Sequence, residues 1–105
     1  MKYALAITAI LFSSPAYSDA VESAYRLCAV IDSTGLSSGP CEVSGWSGTV
    51  TAIIDMNSGE ARTLCPQIAN MMREKGHRFI GRQWTLQIKS PYSGANSIAY
   101  CNLPQ

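Results

Sequence analysis

Four cysteines in so short a chain limit its possible folds more than any other feature. Cys28, Cys41, Cys65 and Cys101 are spread through 105 residues, and no two of them form a Cys-x-x-Cys pair. What they do depends on the compartment, and the N-terminus predicts the compartment. Met1-Lys2 is a short basic start, Tyr3 to Phe12 is apolar apart from Thr8, and Ser13-Ser14-Pro15 breaks the run. Ala16 and Ser18 then place small side chains before a cut, which is the layout of a secretory signal peptide over residues 1–18. Ala20 is the second choice of cleavage site. The apolar run is shorter than the roughly 20 residues that span a bilayer. The mature chain then covers residues 19–105 and is expected to form one compact domain, periplasmic or secreted. A domain of this size buries a modest core and commonly relies on covalent cross-links. An even number of cysteines in an exported chain predicts two disulfides. Each contributes on the order of 2–4 kcal/mol, against a total stability of about 5–15 kcal/mol for such domains.

Charge narrows the partners. Without Lys2 the eight Lys and Arg become seven, balancing seven Asp and Glu. Neither sign forms a block, so the basic stripe expected of a nucleic-acid binder is missing.

The longest strand-like stretch is Cys41 to Asp55. Trp46, Val50, Ala52, Ile54 and Met56 share one face with Gly48. Ser47, Thr49, Thr51 and Asp55 share the other, interrupted by Ile53. Alternation of this kind predicts a sheet with one face on the core and one in water. Gly45 and Gly48, flanking Trp46, predict a bulge or close packing beside the indole.

Helices are expected on either side of this stretch. Ala20, Ala24, Leu27, Cys28 and Ile31 form an apolar stripe over Ala20 to Ser33, with Asp19 as the N-cap, Glu22 as its capping-box partner and Gly35 as the stop. After a Ser/Gly/Pro connector and the strand, Asn57 and Glu60 form a second capping-box signal. Ala61, Leu64, Cys65, Ile68 and Met72 continue as an apolar stripe. Pro66 allows either a start near Thr63 or a helix from Ser58 that bends at the proline. The second is favoured, ending at Lys75 with Gly76 as the stop. Arg78 to Ser90 reads as a second strand with Ile80, Trp84, Leu86 and Ile88 inward, and Arg82 in the same parity. Ser90 to Asn96 is turn chemistry, and Ser97 to Leu103 reads as a third strand.

These elements predict an α+β fold. It is a two-layer sandwich with two helices on one face of a small mixed or antiparallel three-stranded sheet, stabilised by disulfides. The last two strands form a hairpin, and the first two, joined through a helix, run parallel. Placing the third strand between them brings Cys41 to Cys101 and leaves Cys28 for Cys65. This is one of three possible pairings.

The segments CEVSGW, EARTLCPQIA and SPYSGANSIAYC resemble the Fels prophage protein-like family of small exported bacterial and prophage-encoded proteins. The resemblance covers nearly all of the mature chain. It implies one compact exported domain, and it brings no catalytic residue, because the family has no assigned activity.

The residues themselves offer little catalytic chemistry. Structural zinc sites use close pairs of ligands, and His77, the single histidine, follows a helix stop where a cation is mildly favoured. Cysteine or serine catalysis needs a base beside the nucleophile. Glu42, Asp55 and Glu60 supply carboxylates at element ends, without spacing that demands a glycosidase pair. The chain therefore reads as a non-enzyme without metal or cofactor. Arg82 is expected to stack on Trp84, to snorkel from the sheet edge, or to bind a ligand. The loop holding Tyr92, Ser93, Gly94 and Asn96 joins an aromatic ring to small polar residues, a mixture suited to recognition. The expected function is binding or accessory work in the cell envelope, with an unknown protein or small ligand. The sharper alternative is inhibition of a cell-wall hydrolase such as lysozyme: exported lysozyme inhibitors are similar in size and disulfide use, and some present a Ser-Gly loop followed by tyrosine, whereas here Ser93-Gly94 is followed by Tyr100 at a different spacing. A small hydrolase is a third possibility.

Overall fold

Three of the expected elements form much as their patterns dictate. The structure, a computed structural model, describes residues 16–105, with side chains from residue 20 onward. The expected leader lies largely outside the described residues. The element order is α1 (Ala16–Ser33), β1 (Glu42–Ser44), β2 (Thr49–Ile53), α2 (Ser58–Glu74), β3 (Thr85–Lys89) and β4 (Ser97–Asn102). In α1 the whole predicted stripe, Ala20, Ala24, Leu27, Cys28 and Ile31, is buried. Among the described residues the helix already runs from Ala16, so Asp19 lies inside it and is not its N-cap.

Helix α2 is capped as expected. The Asn57 side chain accepts a hydrogen bond from the Glu60 backbone N–H at 2.8 Å, and the Glu60 carboxylate accepts from the Asn57 N–H at 3.2 Å. Two orphan donors of the first turn are thereby satisfied reciprocally. Pro66 sits inside a helix that runs from Ser58, as favoured. At the other end Gly76 takes φ 78°, and the N–H groups of Gly76 and His77 return to the carbonyls of Arg73 and Met72. This is the pairing that closes a helix on a left-handed residue.

The sheet has four strands and not three, in the order β1-β2-β3-β4. The predicted first strand is a hairpin. Residues 45–48 turn back on themselves, and the Gly48 N–H donates to the Ser44 carbonyl at 2.9 Å. Gly48 has φ 69°, a conformation that ends a strand and that glycine adopts cheaply. The inward parity holds after the turn, where Val50, Ala52 and Ile54 are buried. It fails before it, because Trp46 is 94% exposed.

The second strand is shorter than expected. Residues 77–84 connect α2 to β3 with no strand pairing, and Gly81 takes φ 108°. This break turns Ile80 outward and Phe79 inward. Phe79 is fully buried against Trp84 with ring centroids 5.8 Å apart. The connector is tied near its start by two bonds. The buried Ser23 hydroxyl of α1 donates to the Arg78 carbonyl at 3.0 Å, and the Phe79 N–H donates to Pro104 at 2.8 Å.

Strands β2 and β3 pair directly and in parallel, while β1–β2 and β3–β4 are antiparallel. The expected strand order is therefore corrected. The crossover through α2 lays β3 beside β2, and the hairpin through residues 90–96 sends β4 to the outer edge. Register gives the layers. Val43, Val50, Leu86 and Cys101 form one row and Ala52, Ile88 and Ala99 another, all on the core side. Helix α1 packs over β1 and β2, and α2 over β3 and β4. The opposite face carries Glu42, Thr51, Gln87 and Tyr100 in one row and Ser44, Thr49, Thr85 and Asn102 in the next.

The strand order also corrects the disulfides. Cys41 enters β1 at one edge of the sheet and Cys101 lies in β4 at the other, so they cannot meet. Cys41 instead joins Cys28 of α1 (Cα–Cα 5.3 Å), and Cys101 joins Cys65 of α2 (5.9 Å). Each helix is thus tied to the edge strand beneath it. The bonded residues are 13 and 36 positions apart, so loop-closure entropy assigns about 3 kcal/mol to the first bridge and nearer about 4 kcal/mol to the second. Replacing Cys65 and Cys101 with alanine should lower the urea-unfolding free energy by about 1 kcal/mol more than replacing Cys28 and Cys41. A larger loss at the shorter loop would contradict that ordering.

Candidate functional site

The hairpin tip between β1 and β2 spends more polar contacts on its shape than any other exposed turn of the described residues. Ser-Gly-Trp-Ser-Gly is turn chemistry, with a glycine on each side of the ring. Ser47 Oγ lies 2.9 Å from Ser44 Oγ and 3.1 Å from Thr49 Oγ1, which ties the turn to the uncovered face of the sheet. On the far side the Thr85 N–H donates to the Gly48 carbonyl at 2.9 Å.

Arg82 completes the brace. Its Nη1 donates to the Trp46 carbonyl at 3.0 Å and its Nη2 to the Ser47 carbonyl at 3.3 Å. A charged donor to a carbonyl is stronger than a neutral pair, and the planar fork reads two successive carbonyls at once. Arg82 therefore neither stacks on Trp84 nor lies along an edge. Gly48 allows this approach. A Cβ there would stand 3.0 Å from Arg82 Nε and 3.2 Å from the Gln83 carbonyl. The result is an indole held out in water on a turn fixed from both sides, beside the row Ser44, Thr49, Thr85 and Asn102.

The other predicted residues are elsewhere. Arg82 precedes β3 and the loop of residues 90–96 follows it, so the structure places them at opposite ends of that strand. Tyr92 is 82% exposed. Ser93 is consumed by its own loop: its hydroxyl accepts from the Ser90 N–H at 3.1 Å and lies 2.7 Å from the Asn96 carbonyl. Gly94 supplies the left-handed step with φ 64°, and the Asn96 N–H returns to Ser93 at 3.2 Å. In this loop Tyr92 is the aromatic side chain offered to solvent, and Asn96 is exposed beside it. Tyr100, 75% exposed, stands on the uncovered sheet face.

The carboxylates do not converge. Glu42 opens β1, Asp55 follows the far end of β2, and Glu60 is engaged in its cap. Among the described residues no group of three or more His, Cys, Asp or Glu is placed to hold a metal ion. His77 borders an open polar hollow with Glu22, Arg26 and Arg78, where Arg26 pairs with Glu22 at 3.5 Å. An apolar cavity of about 110 Å³ lies between the helices, lined by Val30, Ile31, Leu36, Ile54, Leu64 and Met71 among others. That is well below the roughly 300–1,000 Å³ of ordinary small-molecule pockets.

Trp46 was placed in the core by parity alone. The signal against that placement is the pair of flanking glycines, which serve a turn better than a strand. Gly48→Ala should cost about 1–3 kcal/mol, from left-handed backbone strain and the contact with Arg82. Arg82→Ala should cost about 1 kcal/mol or less, because water reaches the freed carbonyls. The double variant should lose less than the sum, since removing the guanidinium relieves both Arg82 contacts met by the new methyl and leaves the one to the Gln83 carbonyl. Denaturant unfolding of the four proteins checks this, and strict additivity would mean the brace is not where it is drawn.

Comparison with models of protein families, with curated proteins and with solved structures finds no match to this chain.

Proposed function

We propose that the chain is an exported, non-enzymatic binding protein of the cell envelope, processed near Ser18, that engages its partner through the Trp46 hairpin tip and the adjoining uncovered sheet face. The observation that carries this reading is the display of Trp46. Burying a large apolar side chain is worth about 1.5–3 kcal/mol, and this domain forgoes that gain while bracing the turn that exposes the ring. Tryptophan and arginine are the residues most often found at the energetic centres of interfaces. A ring already fixed in place loses little freedom on binding. Two disulfides, together with the sequence layout of residues 1–18, support an oxidising compartment. No helix of the described residues is long and apolar enough to cross a membrane.

Inhibition of a lysozyme-like hydrolase is the second reading. It draws on the opposite end of the sheet, where Tyr92 protrudes, and it is weakened by the internal engagement of the Ser93 hydroxyl.

Expression with the full leader should give an envelope protein whose first residue is Asp19 and which titrates no free thiol. Four reactive thiols, or an intact leader, would overturn the export reading. Trp46→Ala should leave unfolding stability within about 0.5 kcal/mol of the parent. It should also weaken capture of the partner isolated from envelope extract by about thirtyfold or more. Equal affinity in the variant would remove the hairpin from the interface. Loss of binding on Tyr92→Ala, with Trp46→Ala silent, would move the site to the opposite loop and favour the inhibitor.

A further inference from the structure

The two helices are held apart. Helix α1 rests on β1 and β2, and α2 on β3 and β4. Each is bonded to an edge strand, Cys28 to Cys41 and Cys65 to Cys101, and those edges lie on opposite sides of the sheet. Both covalent ties therefore pull outward. A void inside a protein persists to the extent that its walls cannot collapse into it. The apolar cavity of about 110 Å³ sits in the space kept open between the helices.

Its walls have nothing to offer water. Val30 and Ile31 come from α1, Ile54 follows β2, and Leu64, Ile68 and Met71 come from α2. Among the described residues that line it, Thr34 alone carries a polar side chain. That hydroxyl is engaged within its own turn: it donates to the Ile31 carbonyl at 2.6 Å and accepts from the Leu36 N–H at 3.1 Å. A buried water needs about two to four polar partners, and cavities without them stay dry. The mouth is apolar as well. Leu36, which also lines the cavity, is 55% exposed, and Val30, Leu64, Ile68 and Met71 are half-buried around it.

We infer that this cavity is a binding site for one small uncharged apolar group, of the size of a benzene ring or the end of an alkyl chain. In another protein an engineered apolar cavity of about 150 Å³ stays dry and takes benzene or xenon. The present one is somewhat smaller, but its mouth is open, so a ligand need not be wholly enclosed. The lining selects by size and by lack of polarity, because no free donor, acceptor or charge on it orients anything else. Met71 makes one wall adaptable. A site already formed loses little freedom on binding. The inference stands apart from the Trp46 reading. The hairpin tip precedes β2, whereas Ile54 follows its far end, on the face that the helices cover.

Titration of the oxidised mature protein with benzene, and separately with n-hexanol, tests the site. The methyl resonances of Val30, Ile31, Ile54 and Ile68 should move saturably, and those of Ala20 and Ala99, which do not line the cavity, should stay in place. The unfolding temperature should rise with ligand concentration, as it does for any ligand that binds only the folded chain. Saturable binding of benzene alone supports a free ring-sized ligand, and binding of n-hexanol alone supports the chain end of an amphiphile. Ile68→Trp fills the void and should weaken binding about tenfold or more. Leu36→Asp, at an exposed position, sets a carboxylate at the apolar mouth; it should weaken binding likewise and serves if the tryptophan variant fails to fold. Trp46→Ala should leave the affinity for both probes unchanged, so the two readings fail separately. No saturable shift with either probe up to its solubility overturns the inference. Binding indifferent to both Ile68→Trp and Leu36→Asp overturns it equally.

Discussion

The parallel pairing of β2 with β3 is the constraint on which the rest of this domain depends. It sets Val50 and Ala52 level with Leu86 and Ile88, and these four buried residues are the floor on which both helices rest. It requires a crossover, which α2 provides, and the handed crossover puts α2 on the same face as α1. With both helices on one side, the other side of the sheet has to be wet. Thr49, Thr51, Thr85 and Gln87 meet that demand, being β-tolerant and polar. The uncovered face is therefore a consequence of connectivity and not a separate design.

The same pairing explains the covalent pattern. Once β2 and β3 occupy the centre, β1 and β4 are the edges, and an edge strand has only one neighbour to hold it. Each edge is then fastened to the helix above it, β1 through Cys41 to α1 and β4 through Cys101 to α2. The bridges fall where the hydrogen-bonded ladder is weakest. They do not cross the molecule, as a pairing of Cys41 with Cys101 would have required.

Much of this was legible in the residues, and the failures share a cause. Periodicity over five or more residues read correctly: the α1 stripe, the α2 cap and stop, and the inward faces of β2 and β3. Each of these depends on local spacing and on chemistry within a few positions. The errors arose where one glycine ended a pattern that parity alone would continue. Gly48 turned a strand into a hairpin and sent Trp46 outward. Gly81 ended the reading of Arg78 to Ser90 and exchanged Ile80 for Phe79 in the core. The missing fourth strand follows from the first of these, whereas the wrong strand order and the wrong disulfides came from placing β4 between β2 and β3, which pair directly. Arg82 could be singled out by its position among apolar residues. Its partners are carbonyls 35 and 36 positions away, and no spacing rule reaches that far.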